Sequence, residues 1–488
     1  MFCRPAARMI ERNRRPETLA ADPRPGPRAI RPDRERTGMH SLRFRRAPSS
    51  FLRARGLPGL FAFVALLAFL PACASHPRVP PVTAEEHELN LQSFEEVWAT
   101  IRDKHWDPVL GGLDWQAVHA ELRPRAEAAR TMPEARAVME EMIARLKQSH
   151  FGIIPKDLYE DVDRASGQAA GEATAGLRVR VAGGRALVFA VEPGSPAESL
   201  GVHMGWEIAR VAGEDIPDRL AKIQERFADQ TLLPHILAGS VAARLTGSAG
   251  ERLAVRFLDG DDRKVDLAIP LVMPKGNKIG LGNLPALHVW IETRRLDGGI
   301  GYLAFNVFLD PARVMERFNA AMDSFLDAPG VILDLRGNPG GLGAMAMGMA
   351  GWFIDDDGRR LGTMQTRASE LKFAVTPRPR TYAGRVAVLV DGLSASTAEI
   401  LAGGLQDLGR ARIFGTRSAG AALPSNITKL PNGDGFQYAF ANYVSEGGGV
   451  LEGVGITPDV EVPLVREELL AGRDAALEAA VAWIREAS

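Results

Sequence analysis

The chain has 488 residues, 46% of them hydrophobic, which makes it too long for one ordinary domain and apolar enough for more than one core. Fifteen arginines and five acidic residues precede Leu57, so the remainder carries 44 basic against 55 acidic side chains, a balance of about −11 that speaks against nucleic acid as a general partner. Its two cysteines, Cys3 and Cys73, leave no intramolecular disulfide or cysteine metal site in the body that follows.

The arginine-rich stretch up to Gly56 has scattered prolines and no apolar periodicity, so no packed domain is expected there. Leu57 to Ala72 is an almost unbroken apolar run behind Arg43, Arg45, Arg46, Arg53 and Arg55. It falls short of the roughly 20 residues a spanning helix needs and fits a secretory signal. Leu70-Pro-Ala-Cys73 resembles a bacterial lipoprotein box, with Pro71 an unusual occupant. That resemblance implies cleavage before Cys73 and lipidation of it; an uncleaved anchor or a plain signal peptide is the alternative. A signal so far from Met1 also suggests initiation at Met39. Residues 76–83 are proline-rich and read as a tether.

Phe94, Val97, Trp98, Ile101 and His105 recur at helical intervals, as do Ala135, Val138, Met139, Met142, Ile143 and Leu146, which predicts a small helical domain. The second stripe runs into Ser149-His150 and then a strand. Strand-like runs follow at Leu177–Val181 and Ala186–Val191, then the turn Glu192-Pro-Gly-Ser-Pro-Ala197 and Gly201-Val-His-Met-Gly-Trp-Glu-Ile208. Residues 214–250 have no assignment. After Pro274 strands and helices alternate: a strand over 300–308, a helix over 312–325 and a buried strand over 331–335, which gives an α/β class.

Val386-Ala-Val-Leu-Val390 is a continuous apolar run, expected of a strand buried on both faces, and from Ala398 small and apolar residues follow at helical spacing. Strand, tight turn and helix is the local prediction. A serine at that turn lies beside the unsatisfied amides and positive dipole end of a helix, where an oxyanion would be stabilised. Taken alone, Ser394 or Ser396 could equally be a helix cap.

The segment Ser394-Ala-Ser-Thr-Ala-Glu399, with its small-residue helix ending in Gln406-Asp407, resembles the nucleophile region of the C-terminal-processing and tricorn-type serine peptidases. Val331-Ile-Leu-Asp-Leu-Arg-Gly-Asn-Pro-Gly-Gly341 resembles the strand and glycine turn of the same family, in the expected order. The resemblance implies Ser396 as nucleophile, with the backbone amide of Thr397 and that of Gly340 or Gly341 as oxyanion hole. The processing branch carries its lysine base in a Gly-x-x-x-x-Gly-Lys run; here Gly415-Thr-Arg-Ser-Ala-Gly-Ala421 has alanine at the lysine position, and Lys429 is only a remote substitute. Ser149-His150 resembles instead the pair that tricorn-type members carry after a helical bundle, and Val450-Leu-Glu-Gly-Val-Gly-Ile-Thr-Pro-Asp459 resembles their glutamate segment. His150 is thus implied as base, Glu452 as the group that holds its ring, and Ser149 as a weaker member of the network. Asp334, Arg336 and Asp407 read as braces.

Residues 173–270 resemble a peptidase-type PDZ domain, in which Ala175-Gly-Leu-Arg178 would catch a peptide carboxylate on Gly176 and Leu177, with Trp206 where the family has aspartate. The alternative is a PDZ shell that only packs. The expected divisions are a basic leader with lipoprotein-type signal over 1–73, a linker over 74–83, a helical bundle over 84–155, a PDZ-like β-rich domain over 165–275 and a crotonase/ClpP-like α/β catalytic domain over 280–488. No metal or organic cofactor is implied, since there is no His-Glu-x-x-His, cysteine cluster or phosphate-cradling loop. The expected function is an exported serine endopeptidase acting on peptide or protein substrates, lipid-anchored in the cell envelope, with the outer membrane favoured because Ala74-Ser75 lack a retention aspartate. A non-catalytic ligand- or peptide-binding protein on the same fold is the competing reading.

Overall fold

The computed structural model describes residues 80–156, 172–228, 230–281 and 284–486. The leader, the apolar signal and Cys73 lie outside these residues. Among the described residues no helix is long and apolar enough to cross a membrane.

Three helices open the described chain, Ala84–Lys104, Trp115–Ala128 and Met132–Ala144. Thr83, Asp114 and Thr131 each accept a hydrogen bond from an amide of the first turn and so satisfy part of the helix start. The two stripes read from the sequence meet here: Phe94, Val97 and Ile101 pack with Val138, Met139, Met142 and Ile143. This core does not close on itself. It includes Ile153, from the strand Gly152–Ile154, with Phe436 and Tyr438, because that strand pairs antiparallel with Gly435–Ala439. A buried polar hub fixes the same junction. Arg136 binds Asp434 through both Nε and Nη2, at 3.0 and 2.7 Å, Lys156 N–H donates to Asp434 Oδ1 at 2.8 Å, and Asn432 joins Asn90 and Ser93 of the first helix. Helix and strand flanking residues 145–151 are thereby tied to one loop of the C-terminal half.

Residues 177–270 build an antiparallel sheet in the order Leu177–Ala182, Arg185–Val191, Glu207–Val211, Arg252–Leu258, Lys264–Pro270. The stretch 214–250 that the sequence left unassigned supplies the helices Ile216–Phe227 and Leu233–Ala242, whose Ile216, Leu220, Leu237 and Val241 complete this body's core. Pro-Gly-Ser-Pro-Ala opens the expected short helix, Pro196–Ser199, capped by Ser195. Trp206 leaves the following turn intact: its carbonyl accepts from Val188 N–H at 2.9 Å and its ring packs on Phe257.

The C-terminal body is a six-stranded sheet in the order Ile291–Arg295, Gly301–Phe305, Gly330–Asp334, Arg385–Val390, Arg412–Gly415, Val460–Glu461, antiparallel at the first pairing and parallel at the others. The 385–390 strand is central and buried on both sides. Val386, Val388 and Val390 face the helices Pro311–Ser324, Gly343–Ala350 and Thr397–Asp407, while Ala387 and Leu389 face the C-terminal helix Ala475–Arg485. The molecule is therefore a mixed α/β, multi-domain protein with its nucleophile candidate at the carboxyl end of a central strand.

Candidate active site

The turn after Val390 is built by side chains that consume its own polar groups. Ser394 is fully buried; its Oγ donates to Leu335 O at 2.8 Å and accepts from Asp391 N–H at 3.0 Å. Ser394 is therefore a brace. Asp391 binds Gly337 N–H, Leu393 N–H and Arg180 Nε, and so ties the turn to the glycine loop and to the β-rich body. Ser396, partly exposed, stands at φ 54° and ψ −121°, a positive-φ conformation that L side chains rarely adopt. Such a conformation costs about 1–3 kcal/mol and persists only where the surroundings over-determine it.

Those surroundings centre on Glu399, which is fully buried in the first turn of the helix. It accepts from Ser418 Oγ at 2.6 Å, Gly420 N–H at 2.8 Å, Ala421 N–H at 2.9 Å and Ser396 N–H at 3.1 Å. Burial pushes its carboxyl above the usual range, against these bonds. In the sequence Glu399 served only as a landmark of the motif; an acid three residues inside an otherwise apolar buried helix was the available sign of this role.

The glycine turn lies against the serine with no room to spare. A Cβ on Gly340 would come within 2.6 Å of Ser396 Cβ and 2.8 Å of Thr397 N. Gly340 N–H, however, already donates to Asn338 Oδ1 at 2.9 Å, and the residue is buried. Gly341 is exposed; its carbonyl accepts from Thr397 Oγ1 at 2.7 Å and its N–H has no partner among the described residues, nor has that of Thr397. Of the alternatives left by the sequence, the amides without a hydrogen-bond partner among the described residues are those of Gly341 and Thr397.

His150 and Ser149 come to this site from the far side of the chain. Ser149 Oγ is 2.7 Å from His150 Nδ1 and donates to Glu452 Oε2 at 2.8 Å, while Ser149 N–H donates to Glu452 Oε1 at 2.6 Å. Glu452 thus reaches the ring through Ser149 rather than directly, which promotes the serine from accessory to connecting link. One peptide unit joins this relay to the nucleophile: Ala421 O accepts from Ser396 N–H at 2.7 Å, and Ala422 N–H donates to Glu452 Oε2 at 3.2 Å. No hydrogen bond between Ser396 Oγ and the His150 ring is present. His150 also has a positive φ, 59°, so strain is shared by two of the site's reacting candidates.

Burial pushes the His150 imidazole down to about 4, and the charge of nearby His235 acts in the same direction. Burial raises the Glu452 carboxyl, opposed by the bonds from Ser149 and Ala422. His235, from the unassigned stretch, was missed by sequence reading; its Nε2 bonds Leu393 O at 3.1 Å and its Nδ1 is buried without a partner. The position expected for a lysine base, Ala421, is fully buried, and Lys429 is exposed in the strand Ser425–Lys429 opposite Gly435. Asp334 and Arg336 form a buried ion pair extended to Asp474, and Asp407 accepts Gly447 N–H, so all three act as braces. Gly176, at φ 72°, is pressed against Ser195 and donates to Thr174 Oγ1 at 3.3 Å; Leu177 begins the edge strand of the β-rich sheet.

Residues 299–462 match peptidase family S41, and residues 87–144 match the tricorn protease C1 domain. The chain is 25% identical over 419 residues to the chloroplastic carboxyl-terminal-processing peptidase 3 of Arabidopsis thaliana, an alignment covering 83% of this chain and 77% of that protein. It is 27% identical over 362 residues to a carboxy-terminal-processing protease of Bartonella bacilliformis, covering 71% and 74%. Among solved structures, a photosystem II D1 C-terminal processing protease has a similar fold, with a TM-score of 0.52 at 21% identity over 81% of this chain and 99% of that one. Mature CPAF is likewise similar in fold, with a TM-score of 0.53 at 15% identity over 79% and 94%. These matches fall on the helices that precede His150 and on the sheet that carries Ser396: the chain carries a peptidase family S41 domain behind a tricorn C1 domain, and it is a serine-type peptidase.

Proposed function

We propose that the protein is an exported serine endopeptidase whose proton-transfer chain runs Ser396, His150, Ser149, Glu452. The observation that carries this reading is the hydrogen-bonded series from Glu452 through Ser149 to His150, joined to Ser396 by the single peptide between Ala421 and Ala422. Ser396 Oγ attacks the scissile carbonyl while His150 Nε2 takes its proton. Gly341 and Thr397 N–H hold the oxyanion, and His150 returns the proton to the departing amine before water releases the acyl group. Glu452, acting through Ser149, fixes the tautomer and stabilises the imidazolium.

The divisions proposed with it are a helical bundle over 84–155, a PDZ-like domain over 165–275 and a crotonase/ClpP-like catalytic domain over 280–488. The PDZ-like body is read as a capture site for peptide C-termini, at the start of its edge strand beside Gly176 and Leu177. Export and a lipid anchor at Cys73, with the outer membrane favoured, are supported by the apolar run and its basic flank. Fluorophosphonate labelling tests the centre of the proposal. The wild-type protein is expected to take up probe on Ser396 and Ser396→Ala to take up none; a wild-type protein that stays unlabelled sinks the hydrolase reading.

The pH profile gives a second test. A base held down to about 4 stays unprotonated, hence competent, as pH falls past the ordinary histidine value of 6.5. The acid limb of kcat/KM is therefore expected well below 6.5, and a midpoint at or above 6.5 would contradict the buried-base assignment. Stability has the same sign. The unfolded chain takes up the proton first as pH drops from 6.5 toward 4, so this residue weakens the fold on acidification.

A further inference from the structure

A cavity of about 300 Å3 lies behind the nucleophile turn, between the β-rich body and the segment that precedes the C-terminal helix. Its size is at the lower end of the range in which proteins hold small ligands. Phe189, Pro234, Val390, Leu393, Leu464 and Leu469 supply its apolar wall. Pro234 packs on Gly392, and the neighbouring His235 bonds Leu393 O, so the start of the 233–242 helix closes one side.

Three successive residues, Arg180, Val181 and Ala182, also line it. Arg180 and Ala182, two apart, present one face of the strand together with Phe189 of its neighbour, and Val181 between them touches the cavity from the strand's end and edge. Among the described residues Leu177–Ala182 is the terminal strand of its sheet and pairs with Arg185–Val191, and the Leu233–Ala242 helix lies along its other side, so a peptide strand paired to this edge would lie between strand and helix. The edge runs from the Gly176 turn to the cavity mouth, a span of roughly 20 Å at the usual rise per residue.

The charged groups on the wall are already matched. Arg180 is paired with Asp391, Arg336 with Asp334 and Asp474, and Arg473 with Glu468. A charged occupant would have to break one of these pairs or remain uncompensated, whereas an apolar side chain would leave them whole.

We propose that this cavity is a specificity subsite: it receives an apolar side chain of a peptide paired along the 177–182 edge, about four to six residues before that peptide's C-terminus. The inference rests on the capture reading of the PDZ-like body. A carboxylate at the Gly176 turn makes the bound peptide antiparallel to the strand, so its upstream residues lie beside Arg180 to Ala182. The substrate class is then a chain with a free C-terminus and an aliphatic or aromatic residue a few positions inside it.

The test uses the full chain carrying Ser396→Ala, to prevent cleavage, and fluorescein-labelled ten-residue peptides read by anisotropy. Alanine, leucine and aspartate are placed in turn at the fourth, fifth and sixth residues from the end, with free and with amidated C-termini. Leucine at one of these positions is expected to bind roughly tenfold more tightly than aspartate there. Ala182→Phe, which fills the cavity from the strand edge, is expected to erase that preference while leaving the alanine peptide bound as before. Leu464→Asn, on the opposite wall, is the independent variant and is expected to weaken the leucine peptide selectively. Indifference to the upstream residue, or a leucine preference that survives both substitutions, overturns the subsite. Equal affinity for free and amidated peptides overturns the capture reading instead, and binding of no peptide at all overturns both.

Discussion

His150→Ala is expected to lower kcat/KM for peptide hydrolysis by about 10⁴-fold or more, because a serine hydroxyl without a base is a poor nucleophile at neutral pH and the members of such a site act as a unit. Lys429→Ala is expected to stay within about twofold of wild type, as befits an exposed charge on a sheet edge away from the relay. The pair of variants separates the two branches of the family's chemistry. A lysine-dependent enzyme would show the reverse pattern, since Ala421 offers only a buried methyl where the lysine branch carries its amine. Steady-state kinetics on a chromogenic peptide decides it, with circular dichroism to confirm that both variants fold.

Ser149→Ala comes next in expected size, with about a 10²-fold loss in kcat and little change in KM, and Glu452→Gln should fall in the same range. The argument is one of connection. Glu452 touches the ring only by way of Ser149 Oγ, at 2.8 Å on one side and 2.7 Å on the other. Removing either link disconnects the same carboxylate from the same imidazole, so the double variant should be scarcely worse than the poorer single one. Losses that simply multiply would mean that the two residues act separately and that the relay is misread.

How much of this could be read from the chain alone follows a physical division. The helical stripes at Phe94 to Ile101 and Ala135 to Ile143, and the doubly buried strand before the nucleophile, are local patterns whose period states the burial. Ser396, His150 and Glu452 came from motif resemblance, because pairings across hundreds of residues are encoded by no local period. The bridging role of Ser149, the anchoring of the nucleophile turn by Glu399, and the choice of Gly341 over Gly340 depend on which backbone amides are already spent. Asn338 consumes the Gly340 N–H, which is why Gly341 is the one proposed, and such an allocation exists only in the folded chain. His235 escaped notice because its helix belongs to a stretch without a recognisable pattern, and its significance comes from the carbonyl it reaches, that of Leu393.

The bond between Ser149 and Glu452 spans 303 positions. Synthesis runs from the amino end, so a growing polypeptide displays its imidazole long before the carboxylate, and even the hydroxyl emerges ahead of that acid. The relay proposed here is therefore complete only after the last tenth of translation has begun and a very long loop has closed.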